Sequence, residues 1–188
     1  MDLRSVSRAI TLNRVIWCVA VVSVIQNVRL VNQVKAYERI AYPPPLDAGN
    51  QLHRVVGFDM EGNRAELDLT AQSPGHRMLI MTMSPGCPIC VANESSWAAL
   101  ASEARRKPDW RVVWLSRDPI SITKKYFEDN GLGSTDVLAE PTNLTHRALR
   151  MYAVPYTIVV DDHGIVQKIW AGALTPDTIR EISQVLSI

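Results

Sequence analysis

Residues 78–83, Met-Leu-Ile-Met-Thr-Met, form a nearly unbroken apolar stretch the length of one strand, which stops at Ser84-Pro85-Gly86. Directly after that turn come Cys87-Pro88-Ile89-Cys90 and Val91-Ala92-Asn93-Glu94, which read as the start of a helix. Nothing else in the chain constrains the fold as strongly. The run is continuous rather than alternating, so it fits a central strand covered on both faces, and a strand, a tight turn and a helix must follow one another at once. Two thiols three residues apart on the first turn of a helix can meet without backbone rearrangement, which is what disulfide chemistry needs. A cysteine at a helix N-terminus faces unpaired N–H groups and the positive end of the dipole, which favour thiolate. Pro88 suits the first helical position, where its missing donor would be orphaned anyway. Cys87 is therefore expected to be the exposed nucleophile and Cys90 the more buried resolving thiol. The bland alternatives are a structural zinc half-site or two inert cysteines, but a strand-turn-CxxC-helix setting is the one a redox pair requires.

Around this stretch the pattern alternates short strands with helices. Strand signals at 54–59 and 65–69 flank Met60-Glu61-Gly62-Asn63-Arg64, a hairpin signature. After the helix expected at 88–106, ending in Arg105-Arg106-Lys107 before Pro108, a second buried strand is read at 111–116. A helix at 119–130, a short strand at 137–139 and a short helix at 143–151 come next. Strands at 156–160 and 165–170 are joined by Asp161-Asp162-His163-Gly164, a hairpin turn, and Thr175 before Pro176-Asp177 reads as the N-cap of a last helix reaching 186. The order β-β-β-α-β-α-β-α-β-β-α predicts an α/β fold: a central mixed sheet flanked by helices, with an extra N-terminal β-hairpin.

The first fifty residues have a different character. Residues 1–14 carry Arg4, Arg8 and Arg14 against Asp2 alone, and an apolar run follows. Between Arg14 and Arg29 lie 14 residues, about 21 Å of helix, short of the roughly 20 residues that cross a bilayer core. Arg14 and Arg29 can snorkel, however, and Ile10, Leu12, Leu30, Val31 and Val34 extend the apolar character. A signal anchor, a cleaved signal and a soluble amphipathic helix are all open. The anchor is preferred, because no small-x-small cleavage site follows the run cleanly. Arginines and lysines on both sides offset one another, so the remainder of the chain is placed outside the cytoplasm because N-terminal anchors usually work that way. Tyr42-Pro43-Pro44-Pro45 and Gly49-Asn50 read as a semi-rigid tether. The expected organisation is thus a basic segment at 1–14, a membrane helix at 15–36, a proline-rich linker at 37–51 and one folded domain at 52–188. Cys18, inside the apolar run, is expected to be a small apolar residue rather than a redox group. With 20 basic and 19 acidic residues, nothing in the charge suggests a nucleic-acid partner.

Val154-Pro155-Tyr156-Thr157 stands immediately before a buried strand. Proline is tolerated at a strand's first residue. An ordinary trans proline is one reading; a cis bond would bend the chain and leave backbone groups of Val154 to pair with an extended peptide. The CxxC helix start and this proline together resemble the thioredoxin superfamily. The Asp59-Met60-Glu61-Gly62-Asn63 hairpin, Val154-Pro155-Tyr156-Thr157 and Asp162-His163-Gly164 are similar to membrane-tethered extracytoplasmic proteins of the TlpA/ResA kind. Ser84-Pro85-Gly86-Cys87-Pro88-Ile89-Cys90 resembles the methylamine-dehydrogenase accessory thioredoxins. The resemblance implies a thioredoxin-like fold over 52–188 and thiol–disulfide exchange with a protein partner bearing a disulfide or dithiol. No cofactor and no metal would be needed. It further implies Cys87 as attacking thiol, Cys90 as resolving thiol and Pro155 as the cis proline beside them, with Val154, Pro88 and Tyr156 meeting the partner. The sequence departs from the pattern at Gly86, where Trp is usual, and at Met81 and Asn93, where acids are expected; Glu94 adjoins the latter. Two rivals are a peroxiredoxin-type peroxidase, which Ser84 fits and Ile80 does not, and a copper-binding thiol module using Met78, Met81 and Met83. Alternation puts Met81 and Met83 on one face of the strand and Met78 on the other, as core residues.

Overall fold

A computed structural model describes residues 17–35, 45–132, 136–149 and 153–187. The basic segment 1–14, both edges of the expected membrane helix, linker residues 37–44 and Met151, the expected end of a helix, lie outside the described residues. The chain divides into two compact units, Met1–Pro44 and Pro45–Ile188. In the first, helix α1 covers Trp17–Lys35, 19 residues with a mean hydropathy of 1.2. That is about 28 Å of helix against a bilayer core of about 30 Å. Its length and composition are sufficient to cross a membrane. It exceeds the charge-to-charge count because the helix continues through Arg29 to Lys35. Within it the Asn27 amide donates to the Ser23 carbonyl at 2.8 Å, pairing one polar group inside the helix itself.

The second unit carries the elements in the expected order: β1 (Arg54–Phe58), β2 (Arg64–Asp68), β3 (Arg77–Met83), α2 (Pro88–Arg105), β4 (Trp110–Ser116), α3 (Ile120–Asp129), β5 (Val137–Ala139), α4 (Asn143–Ala148), β6 (Tyr156–Val160), β7 (Val166–Ala171) and α5 (Pro176–Ser187). The strands form one seven-stranded sheet ordered β2-β1-β5-β4-β3-β6-β7. β3 is parallel to β4 and antiparallel to β6, and β4 is parallel to β5. The apolar run is thus an interior strand of the sheet, covered on both faces as its lack of alternation predicts, and Met78 to Met83 are all buried.

Period-two alternation splits that strand between two core layers. Leu79, Met81 and Met83 pack with Trp97, Leu100, Ala101 and Ala104 of α2, Phe127 of α3, and Ile182 and Leu186 of α5. Met78 and Ile80 pack with Val113 and Leu115 of β4, Ile158 and Val160 of β6, and Leu149 beyond α4. The first layer is anchored by aromatic rings. Trp97 meets Trp114 edge-on at 5.8 Å, and Trp114 meets Phe127 likewise at 5.5 Å. The Trp97 indole N–H donates to the buried Thr157 hydroxyl at 2.8 Å. On the other layer the Thr145 hydroxyl ties α4 to β1, accepting from the Val56 N–H at 2.7 Å and donating to the Val56 carbonyl at 3.0 Å.

The turn between β6 and β7 is built by Asp161, whose side chain accepts from the backbone N–H groups of His163 and Ile165, each at 2.9 Å. Gly164 closes it at a φ of +76°, where a Cβ would sit 2.2 Å from the Leu52 carbonyl oxygen, so only glycine fits. Residues 46–51, expected to end the linker, lie against this turn. Leu46 is buried in the second layer. The Gly49 N–H donates to Val166 O, the Val166 N–H to Asn50 O, and the Leu52 N–H to Gly164 O.

Candidate active site

In-register pairing of Met83 with Ser116 brings the carboxyl ends of β3 and β4 to the same place, and antiparallel pairing of Thr82 with Tyr156 puts the start of β6 there too. Carboxyl ends of parallel strands are where α/β sheets place their chemistry. Leaving β3, the chain turns through Ser84-Pro85-Gly86, with the Cys87 N–H donating to Ser84 O at 3.0 Å. Cys87 is the N-cap of α2, with extended backbone (φ −92°, ψ 115°) and no side-chain capping bond. Pro88 takes the first helical position, as expected.

Cys87 and Cys90 are both free thiols, Cys87 half-buried and Cys90 fully buried. The Val154–Pro155 bond is cis, and the Cys87 S–H points to the Val154 carbonyl oxygen at 3.8 Å. Partial burial raises the Cys87 pKa, but hydrogen bonds from the Cys90 thiol and from the Cys90 and Ile89 N–H groups outweigh it, leaving the thiol below its ordinary value. Burial, together with the same thiol–thiol contact, pushes Cys90 up to about 12. One cysteine is thus disposed to ionise and the other to hold its proton. Reduced protein treated with iodoacetamide near neutral pH is expected to take label at Cys87 while Cys90 stays unlabelled, with the rate rising as pH climbs through the Cys87 pKa; mass spectrometry of the peptides checks both. Equal labelling of the two would contradict the assignment of environments.

Of the six residues singled out from sequence, five gather here: Cys87, Cys90 and exposed Pro88, with half-buried Val154 and buried Pro155 across from them. Tyr156 does not bring its side chain. Alternation along β6 sends it to the second layer with Ile158 and Val160, and its N–H is taken by the Thr82 hydroxyl at 2.9 Å. Between the thiols the surface is apolar at Ile89, which is 44% exposed.

The positions where acids were expected are otherwise used. Met81 is core. Asn93, 2% exposed, clamps the loop between β7 and α5, donating to Gly172 O at 3.0 Å and accepting from the Leu174 N–H at 2.9 Å. Glu94 accepts a hydrogen bond from the Tyr126 hydroxyl on α3. The acid that sequence reading overlooked is Asp118, two residues past the end of β4. Its Oδ2 is buried and has no hydrogen-bond partner among the described residues, and its charge acts on Cys90. The available signal was its place just after the carboxyl end of a strand expected to lie in the parallel core.

The fold that carries this site is thioredoxin-like. The thioredoxin domain of a thiol-disulfide oxidoreductase from Bacteroides vulgatus superposes with a TM-score of 0.57 at 20% identity, covering 75% of this chain and 99% of that one. A thiol:disulfide interchange protein from Bacteroides sp. gives 0.59 at 18% identity, covering 76% and 92%. A peroxiredoxin-like protein from Aquifex aeolicus gives 0.61 at 12% identity, covering 77% and 90%. No family model and no curated protein sequence matches the chain.

Proposed function

We propose that this chain is a thiol–disulfide oxidoreductase that exchanges disulfides with a protein partner, of the membrane-anchored TlpA/ResA-like kind. In this reading α1 holds it at a cell membrane and the redox domain works on the extracytoplasmic side. The observation that carries the proposal is the asymmetry of the pair: a part-exposed thiol of lowered pKa at a helix N-cap, next to a fully buried thiol of raised pKa, opposite a cis-proline loop. The Cys87 thiolate attacks a partner disulfide, forming a mixed disulfide and releasing one partner thiolate. Cys90 then attacks Cys87 Sγ, the second partner thiolate leaves, and Cys87–Cys90 is the oxidised product. Run in reverse, the same steps oxidise a dithiol; the reduction potential of the pair against its surroundings sets the direction. Val154, Pro88 and exposed Ile89 form the rim on which the partner rests.

A Cys90→Ser variant is expected to accumulate mixed disulfides with its partner in native membranes, visible on non-reducing gels and lost on reduction. The proposal fails if nothing is trapped while Cys87→Ser retains full exchange activity. One observation favours a second reading, a thiol peroxidase: the superposition on the Aquifex aeolicus peroxiredoxin-like protein, together with Ser84 three residues before Cys87. Rapid hydroperoxide turnover by the purified chain would select it.

A further inference from the structure

The exchange reaction proposed above leaves one step without an agent: Cys90, whose proton is held tightly in a dry setting, must lose it before it can attack. Resting on that reading, we propose that Asp118 is the proton acceptor for the Cys90 thiol in the step that releases the partner. In the mixed disulfide, the Cys90 S–H proton passes to the Asp118 carboxylate. The Cys90 thiolate then bonds to Cys87 Sγ, and the bond from Cys87 to the partner sulfur breaks. The partner leaves as a thiolate and takes a proton from solvent. The cysteine pair gives up two electrons and the partner gains them.

Three independent features lead to this residue. First, topology: Met83 and Ser116 are register partners, so the segments leaving β3 and β4 set out side by side, one reaching Cys87 and the other Asp118. The Arg117 N–H donates to Met83 O at 3.0 Å, pinning the two departures together. Second, vacancy: the backbone of Asp118 is engaged, its N–H donating to the Ser116 hydroxyl and its carbonyl accepting from the Thr123 hydroxyl. Its Oδ2, in contrast, is a buried carboxylate oxygen without a donor among the described residues, and leaving such a group unpaired is costly. A capping role would have used that oxygen, and α3 begins without it. Third, the alternative carboxylate is committed: Glu94, one turn past Cys90, takes the Tyr126 hydroxyl proton donor.

Among the described residues, the titratable groups that face Cys90 are Cys87 ahead of α2, Tyr126 on α3 with its partner Glu94 on α2, and Asp118 after β4; Arg117 beside it is exposed. Both Asp118 and the Cys87 sulfur oppose charge on Cys90, and Tyr126 is itself pushed up by burial, by Glu94 and by Cys90. The sign follows. In the mixed disulfide Cys87 carries no charge, so Asp118 is the remaining base next to a thiol that burial keeps protonated, and a neutral residue at 118 removes that base.

The full chain, reduced and mixed rapidly with a disulfide probe of two chromogenic thiols, releases one thiol on attack by Cys87 and the second on resolution by Cys90. Asp118→Asn is expected to leave the first phase unchanged and to slow the second at neutral pH by about 10²-fold, the scale of a lost general base. Its second-phase rate should then rise with hydroxide concentration. Asp118→Glu should recover much of the rate, and Glu94→Gln should leave the second phase at the wild-type rate. An unchanged second phase and pH profile in Asp118→Asn overturns the proposal, as does equal slowing by Glu94→Gln. Loss of both phases in Asp118→Asn and also in Asp118→Ser overturns it as well, making the residue a part of the fold. If the wild-type chain itself releases only one thiol, the exchange reading falls first and this one with it; a normal wild type with an indifferent Asp118→Asn sinks this one alone.

Discussion

Cys87→Ser is expected to abolish disulfide exchange, lowering the rate by about 10³-fold or more, the scale on which removal of a covalent nucleophile acts. The reason lies in the division of labour between the thiols. Cys87 sits at the N-cap position of α2, where the Cys90 thiol and the Ile89 and Cys90 amides favour its thiolate. A serine hydroxyl in the same cradle stays protonated at any workable pH. Cys90 cannot substitute, since it is fully buried and holds its proton to about 12. The fold should be untouched, because Cys87 is only half-buried and serine is nearly isosteric with it. Insulin-disulfide reduction with a chemical electron donor, run alongside far-UV circular dichroism, checks both halves. Substantial activity in Cys87→Ser would show that the attacking thiol has been misassigned.

Trp97→Ala is expected to be the most damaging single change to stability among the helix residues around the site. Truncating a buried tryptophan costs about 3–5 kcal/mol through lost transfer energy and the cavity left behind. Here the loss also strips the edge-on contact with Trp114 and leaves the Thr157 hydroxyl, itself 1% exposed, without its donor. Domains of this kind are stable by about 5–15 kcal/mol, so the variant should unfold at a far lower denaturant concentration with a similar slope. Trp97→Phe, which keeps most of the bulk and loses only the N–H, should fall between. An alanine variant within about 1 kcal/mol of the parent would mean that α2 is not held by this cluster.

These two residues differ in how plainly the chain announces them. The thiols, the interior strand and the Asp161–Gly164 turn could be read directly, because each rests on neighbours in sequence: an unbroken apolar run, a spacing of three, an Asp-His-Gly turn. The helix N-cap at Thr175 was legible for the same reason, and its hydroxyl does accept from the Thr178 N–H at 3.2 Å. What escaped depends on residues that meet only after folding. Asp118 is an ordinary acid before a proline until the pairing of β3 with β4 sets it beside Cys90. Asn93 reads as a missing acid, yet its two hydrogen bonds reach some eighty positions along the chain. Leu46 to Leu52 carry no periodicity, since irregular backbone pairing leaves no trace in side-chain pattern. Tyr156 could have been placed correctly: the alternation that buries Ile158 and Val160 in the second layer includes it, and its nearness to Pro155 in sequence was a poor guide to direction.

The anchoring of residues 49–52 along the β6–β7 turn has a geometric consequence. That turn caps the carboxyl end of β6, whereas the thiols lie at its amino end, so five residues of extended strand, about 17 Å, separate residues 49–52 from the thiols. Residues 49–52 therefore brace the base of the sheet, at the end opposite the sulfur-bearing tip.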